Sequence, residues 1–495
     1  MIRNFFITAY RVLIRDKGFS FINILGFSIG IACSILIFMW VNDELTFDSQ
    51  HKNGKRIFRV IANVPSGEER LNVAVTPALL APSLREEYPD IEEATSFKSI
   101  GSTEFRVDGK IIEERGAAIG QSDLFSIFSF SFLEGNPQTC LDNPNSIVIT
   151  EDLARKYFGN ESAIGKELDL VGLGFYNVSA VIEDVSHCHF QFNYILPFEI
   201  AKTLFNDNLD EMGTYNYTTY IMLREGVNPD LFRQKISDFM DKYDEEGDDQ
   251  KEDKLILFIQ NLKDIYLKSD FAYDFIQKGD INNIYIFSFI AIIILVIASI
   301  NFMNLSTARS ANRSREIGLR KVVGGKRKHI ISQFYIESAL VTIPGFIFAL
   351  IFVELLTPWF SNLAGKDFSQ NIFSNPTLVI YYLASLIVIT FLSGSYPALY
   401  LSSFIPVKVL KGDLAQGASS GTFRKVLVIF QFSITIILLV ATIVIDNQLT
   451  YIRSRDLGYD KEQLIQVFKS KTINKKYDVF KSRLLQSPYI SDVTS

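Results

Sequence analysis

Few residues in this chain have the types and spacing that chemistry requires. His187, Cys188 and His189 stand together and supply two imidazoles and a thiol, the donor types of a zinc site. Neighbouring side chains on a strand point to opposite faces, and His51, the only other donor of this kind in reach, is distant in sequence, so no metal centre is expected. Cys140 and Cys188 could pair only if folding brings them together; the plainer expectation is two small buried hydrophobes. A phosphate-cradling loop needs Gly-x-x-x-x-Gly-Lys followed by Ser or Thr. The Gly-Lys pairs here continue as Gly54-Lys55-Arg56, Gly109-Lys110-Ile111, Gly165-Lys166-Glu167, Gly325-Lys326-Arg327 and Gly365-Lys366-Asp367, and none qualifies. The acids between the first two apolar runs are scattered without a recurrent spacing, and no nucleophile stands beside a base. What remains is charge on a helix. In Ser306–Ile336, Arg313 lies three residues before Glu316 and Arg320 four after it, the spacing of ion pairs on one helical face. Ile317, Leu319, Val322 and Val323 add an apolar patch suited to a partner's groove, and Gly324–Gly325 can close the helix with a left-handed cap. The alternative is that these cations bind anionic head groups and set topology.

The elements around that segment give it a side. The chain has 495 residues, 48% of them hydrophobic and 21% charged, a balance that suits apolar spans joined to a soluble domain. With a net charge of -6 and cations gathered at span edges, nothing points to a nucleic-acid partner, and the cations suit membrane lipid. Five apolar runs are expected to span: 19–41, 284–305, 339–360, 377–401 and 426–445. Arg3, Arg11, Arg15 and Lys17 precede the first, whose far end carries Trp40, Asp43, Glu44 and Asp48, so the N-terminus is expected in the cytoplasm. Residues 1–18 read either as an amphipathic helix along the inner surface or as an extension of the first span. The basic segments 306–336 and 402–425 then fall inside by the same rule.

Residues 42–282 are polar, rich in turn residues and patterned alternately as strand and helix, which predicts a folded extracytoplasmic domain. The fold class expected is therefore a membrane protein: an α-helical transmembrane bundle with a large mixed α+β extracytoplasmic domain between spans 1 and 2. Strands are predicted at Arg56–Val64, Glu104–Val107, Lys110–Ile119, Ser146–Thr150, Glu167–Val171, Asn177–Ile182, Thr218–Leu223 and Lys254–Gln260, and helices at Pro77–Tyr88, Glu151–Phe158 and Asp230–Tyr243. Tyr88–Ser96 and Ser487–Ser495 share Pro, Ile, Thr and Ser at one constant offset, and the same shift lays the first apolar run on the fifth. Residues 446–495 are accordingly expected to begin a second, incomplete extracytoplasmic domain, in a protein of about eight spans. Asn301, Asn304 and Glu354 are polar groups at span ends, able to bond across helices or to meet the interface.

Phe302–Gly325, with Arg313, Glu316-Ile317-Gly318, Arg320 and the late Gly324–Gly325, resembles the cytoplasmic pattern of FtsX/MacB-type ABC transporter permeases. Asn145–Leu170 and Val178–Phe198 resemble the family's large extracytoplasmic domain, and Ser393–Gly412 the end of its fourth span. The resemblance implies an inner-membrane permease of a bacterium that binds a cytoplasmic ABC ATPase at Arg313, Glu316, Ile317, Gly318, Arg320, Val322, Gly324 and Gly325. It implies that ATP and Mg are held by that partner, with no cofactor or catalytic residue in this chain. It further implies mechanical transmission to the outer domain for efflux or release of a periplasmic substrate, a homodimer or heterodimer of permeases, and a periplasmic adaptor. With no soluble domain ahead of the first span, the ATPase is expected on another chain. The rival reading is a membrane-anchored extracytoplasmic sensor or binding module without transport.

Overall fold

In the computed structural model the described residues are 17–67, 69–243, 255–308, 319, 321–323, 326–368, 376–402, 418–455, 464–465, 467 and 476–494. The chain divides into two units, Met1–Gln416 and Gly417–Ser495.

Four long helices of the first unit are α1 (Lys17–Leu45), α6 (Ile281–Ala308), α7 (Arg327–Ala364) and α8 (Pro376–Ser402). Each is apolar on nearly all faces, as a helix must be when lipid replaces water around it, and each is long enough to cross a membrane. α1 packs against α6 and α7, and α8 against α7 and α6, around Phe27, Ile31, Ile35, Leu295, Phe346 and Ile389. Small residues permit this closeness. A Cβ on Gly30 would lie 3.0 Å from the Ala298 Cβ, and one on Gly345 would lie 2.9 Å from the Phe27 Cβ. Between α7 and α8 the hydroxyls of Thr342 and Thr390 bond at 2.8 Å.

Between α1 and α6 lies a mixed sheet domain. Its strands are β1 (Ile57–Ser66), β2 (Glu69–Val73), β3 (Thr76–Pro77), β4 (Ile91–Val107), β5 (Lys110–Gly120), β6 (Phe132–Gly135), β7 (Ser146–Thr150), β8 (Glu167–Leu170), β9 (Gly174–Ile182), β10 (Tyr194–Pro197), β11 (Tyr215–Leu223) and β12 (Ile256–Asn261). They order as β12-β1-β11-β4-β5-β10-β7-β9-β6, with β2 on β1, β3 on β11, and β8 on β4 and β9. β5–β10 and β7–β9 are parallel, and the other pairings are antiparallel. Helices α2 (Leu80–Glu87), α3 (Glu151–Phe158), α4 (Pro229–Ile236) and α5 (Leu262–Lys268) cover it.

Differences from the sequence expectations have local causes. The span 91–103 of β4 is strand although Glu92, Glu93, Lys98 and Ser99 interrupt its apolar residues; it is held by pairing Ala94 with Ile221 and Phe97 with Thr218. The single helix expected over Asp230–Tyr243 breaks into α4 and a 3₁₀ turn, Phe239–Tyr243. At the break the Ser237 hydroxyl donates to the Gln234 carbonyl and the Asp238 carboxylate, competing with the helical ladder. α7 begins at Arg327, so Arg327–Ile336, expected within the cytoplasmic segment, forms the N-terminal end of the third apolar helix. The second unit comprises, among the described residues, α9 (Ala418–Ser454) and α10 (Tyr477–Leu484). α10 precedes Ser487 as α2 precedes Tyr88, so a short helix stands before each copy of the repeated motif.

Candidate coupling junction

Three contacts lie where the sheet domain joins the apolar bundle, near the C-terminal end of α1 and the lead-in to α6. The first is at the last turn of α1. Lys366, in the connection after α7, places Nζ 2.5 Å from Asp43 Oδ2 and 2.7 Å from Glu44 Oε1. Asp43 also lies 3.3 Å from His187 Nδ1, and the Phe47 ring stacks on Tyr266 of α5 at a centroid distance of 3.7 Å. Burial pushes the Tyr266 phenol up, and its hydrogen bond to the Glu44 carboxylate adds to this. Gly279, just ahead of α6, lets the chain pass: a Cβ there would sit 2.7 Å from the Tyr266 ring and 2.9 Å from Glu44 Oε2.

The second contact is buried. Asp48, in a left-handed conformation, takes hydrogen bonds on Oδ1 from the His189 backbone N–H at 3.1 Å and from His189 Nδ1 at 2.9 Å. A carboxylate accepts only, so Nδ1 carries hydrogen; Nε2 then lies 2.7 Å from the Tyr220 hydroxyl. Burial works to raise the Asp48 carboxyl, but the charge and hydrogen bonds of His189 outweigh it and hold it below the ordinary value. Burial pushes the His51 imidazole down to about 4 and the Cys188 thiol well up, so both are neutral near pH 7.

Asp48, His51 and Cys188 offer three ligand atoms within 4.8 Å of one another, all buried. His187, Cys188 and His189 lie in a loop after β9, not on a strand, which is why His51 reaches Cys188 against the expectation from spacing. His51 does not fit a metal, however. Its Nδ1 accepts the Ser129 backbone N–H at 3.1 Å, which puts the hydrogen on Nε2, 3.7 Å from Cys188 Sγ. A ligating imidazole has the reverse arrangement, a free lone pair inward and N–H outward. Asp48 Oδ2 has no hydrogen bond of good geometry among the described residues, and the Cys188 thiol offers its weak donor to this carboxylate. Cys140 and Cys188 are both buried and free.

The third contact straps the lead-in to α6 onto β1. Arg59, fully buried, forks onto Asp274 at 2.8 and 3.0 Å, donates to Gln260 at 2.8 Å and to the Ser269 hydroxyl at 2.7 Å. Burial would raise the Asp274 carboxyl, and the Arg59 and Ser269 hydrogen bonds hold it down. The Gln277 N–H donates to the His189 carbonyl at 3.1 Å, joining this strap to the second contact.

At the far end of the bundle from the sheet domain, Lys321 Nζ donates to the Ser402 carbonyl at 2.6 Å and Arg327 Nε to the Ser402 hydroxyl at 3.2 Å, both at the C-terminal end of α8, where cations meet the negative pole of a helix. Leu319, Val322 and Val323 are 55%, 61% and 86% exposed, an apolar patch among the described residues. Arg313, Glu316, Ile317, Gly318, Arg320, Gly324 and Gly325 lie outside the described residues, as do most of 1–18 and 402–425. Asn301 packs its amide 3.6 Å from where a Gly26 Cβ would stand, and Glu354 lies on an exposed face of α7.

Residues 20–239 match the MacB-like periplasmic core domain and residues 288–406 the FtsX-like permease C-terminal family. The chain belongs to the FtsX/MacB-type ABC permeases. Among its relatives, the macrolide export ATP-binding/permease protein MacB of Pasteurella multocida is 28% identical over 269 residues, 54% of this chain and 38% of that protein. The protein of the same name from Agrobacterium fabrum is 33% identical over 127 residues, 26% of this chain and 19% of that one. The chain thus spans well under two thirds of the relatives it matches. A crystal structure of the periplasmic region of MacB from Actinobacillus actinomycetemcomitans aligns with a TM-score of 0.32 and 15% identity, covering 43% of this chain and 91% of that one. With its apolar helices, this FtsX/MacB-type chain is a multi-pass bacterial membrane protein. The residues of its outer junction were not legible beforehand as a site. The one local signal was Lys366, the lone cation in the short connection between the third and fourth apolar runs.

Proposed function

We propose that this chain is the permease subunit of an ATP-driven complex in the bacterial inner membrane, its N-terminus cytoplasmic, converting ATP hydrolysis by a separate cytoplasmic ATPase into a change of shape outside. The ATPase docks at the segment of Arg313, Glu316, Ile317, Gly318, Arg320, Val322, Gly324 and Gly325; ATP and Mg are held by that partner, and this chain carries no catalytic residue. The sheet domain, α1 and α6 move as one body, because their links are the buried Arg59–Asp274 and Asp48–His189 contacts. Such contacts do not break cheaply, since one partner left alone is an uncompensated buried charge. The Lys366 link to the connection after α7 is a single side chain, 20% exposed against 0% for Arg59 and His189, and it is the contact that releases. The observation that carries this reading is the contrast between those two kinds of link at one junction. The names of the relatives support export as the proposed task, with efflux or release of a periplasmic substrate, an adaptor and a permease dimer as further parts of the proposal.

Glu316→Lys combined with Arg320→Glu tests the docking step. Loss of ATPase co-purification and of permease-stimulated ATP turnover is expected, and unchanged values for both would refute docking at this segment.

A further inference from the structure

Between α5 and α6 the chain presents two aromatic side chains outward from a rigid mount. Tyr273 is 61% and Phe275 77% exposed, while the residues alternating with them turn inward. Asp274 has a side chain only 1% exposed in its fork with Arg59, and Ile276 packs against the domain core. The backbone is pinned on the other side, where the Ala272 N–H donates to Asn72 at 2.9 Å and the Ala272 carbonyl accepts from Ala74 at 3.0 Å. Tyr273 itself is held at φ +53, a conformation that a bulky residue adopts only when its surroundings impose it. Scattered exposed aromatics are ordinary on a soluble domain. Two on one fixed, strained strap are not scattered.

The position of the strap identifies what covers them. Phe275 is two residues from Gln277, which bonds His189, which in turn bonds Asp48, three residues beyond the end of α1. It is six residues ahead of Ile281, where α6 begins, so it lies within about 20 Å of the membrane-crossing helix by chain length alone. Lys268 and Lys278 flank it, and Tyr285 follows on α6, 65% exposed. Aromatic rings with nearby cations at the end of a span are the composition of the water–lipid boundary.

We infer that Tyr273 and Phe275 form a rigid aromatic finger seated in the outer lipid surface beside α6. The finger uses the Arg59–Asp274 strap as its mount, so the domain is held to the lipid surface at a fixed height as well as by its two covalent connections. The inference rests on the outer placement of the domain but not on any ATPase.

Phe275→Trp in the full chain, reconstituted in phosphatidylcholine bilayers whose acyl chains carry bromine near the headgroup or near the bilayer centre, tests it by difference from the parent, which keeps Trp40 and Trp359. The expected result is a blue-shifted added emission, strongly quenched by shallow bromine and weakly by deep bromine. Tyr273→Trp should behave in the same way and guards against a local defect of one variant. Water-like emission unquenched by either lipid would overturn the finger. So would a blue shift that ignores bromine and grows with protein density in the bilayer, which would assign the surface to a second copy of the chain. A misplaced ATPase site would leave all of these readings untouched.

Discussion

Arg59 and Asp274 lock each other in place at 0% and 1% side-chain exposure, so removing either leaves a charge with no water to receive it. Arg59→Met should lower stability by roughly 3–5 kcal/mol, read as a fall in the thermal midpoint of the detergent-solubilised chain; a fall no larger than that of an exposed Arg106→Met control would contradict it. The acid side of the pH profile follows from His51 and Asp48. The His51 value is about 4 when folded against 6.5 when exposed, so between these pH values the unfolded chain binds the extra proton. Stability present above pH 6.5 is lost as pH falls towards 4, by on the order of 3 kcal/mol. Asp48 is held below 3.8, so its contribution persists through that window and fades only beneath it. Midpoints measured from pH 7.5 to 4.5 should therefore decline, and His51→Gln should flatten the decline. A flat parental profile would refute a neutral, buried His51.

At the scale of elements, α1 is the hub of the bundle, and its crossing with α6 depends on Gly30. Gly30→Leu puts a branched side chain where a Cβ alone would already stand 3.0 Å from Ala298, so α1 and α6 must part. The expected outcome is a loss of about 1–3 kcal/mol from overpacking, seen as a lower thermal midpoint and poorer recovery of the folded chain. Ile29→Leu, on the exposed face at 51%, should change neither; equal behaviour of the two variants would contradict the crossing. The long helices were legible because an unbroken apolar run has only one way to satisfy its backbone in lipid. β7 and α3 were legible to the residue, since Ile147–Thr150 is a continuous β-branched run and Glu151 opens a helix with acids in its first turn. β10 was not: in Tyr194–Pro197 four residues gain strand geometry from parallel pairing with Ala117–Gly120 on one side and antiparallel pairing with Val148 and Ile149 on the other. The junction was hidden for the same reason. Arg59 and Asp274, or Asp43 and Lys366, are far apart in sequence, and no local spacing announces a contact made by topology.

Across the whole molecule, the helix α10 stands ahead of Ser487 as α2 stands ahead of Tyr88. In the proposed transmission the sheet domain with α1 and α6 shifts against the α7–α8 pair, sliding along the packed faces of α1 and α7 and releasing the Lys366 link. Lys366→Met removes the cation between Asp43 and Glu44 and should shift the resting arrangement towards the one reached with nucleotide. Spin labels at Leu231 on the domain and Leu363 at the outer end of α7, 59% and 68% exposed, report the separation of the two parts by pulsed electron resonance. In the chain reconstituted with its ATPase, addition of ATP and vanadate should change the distance distribution, and Lys366→Met should show part of that change without nucleotide. A single unchanged distance in all states, while the ATPase still turns over at its permease-stimulated rate, would contradict transmission through this junction.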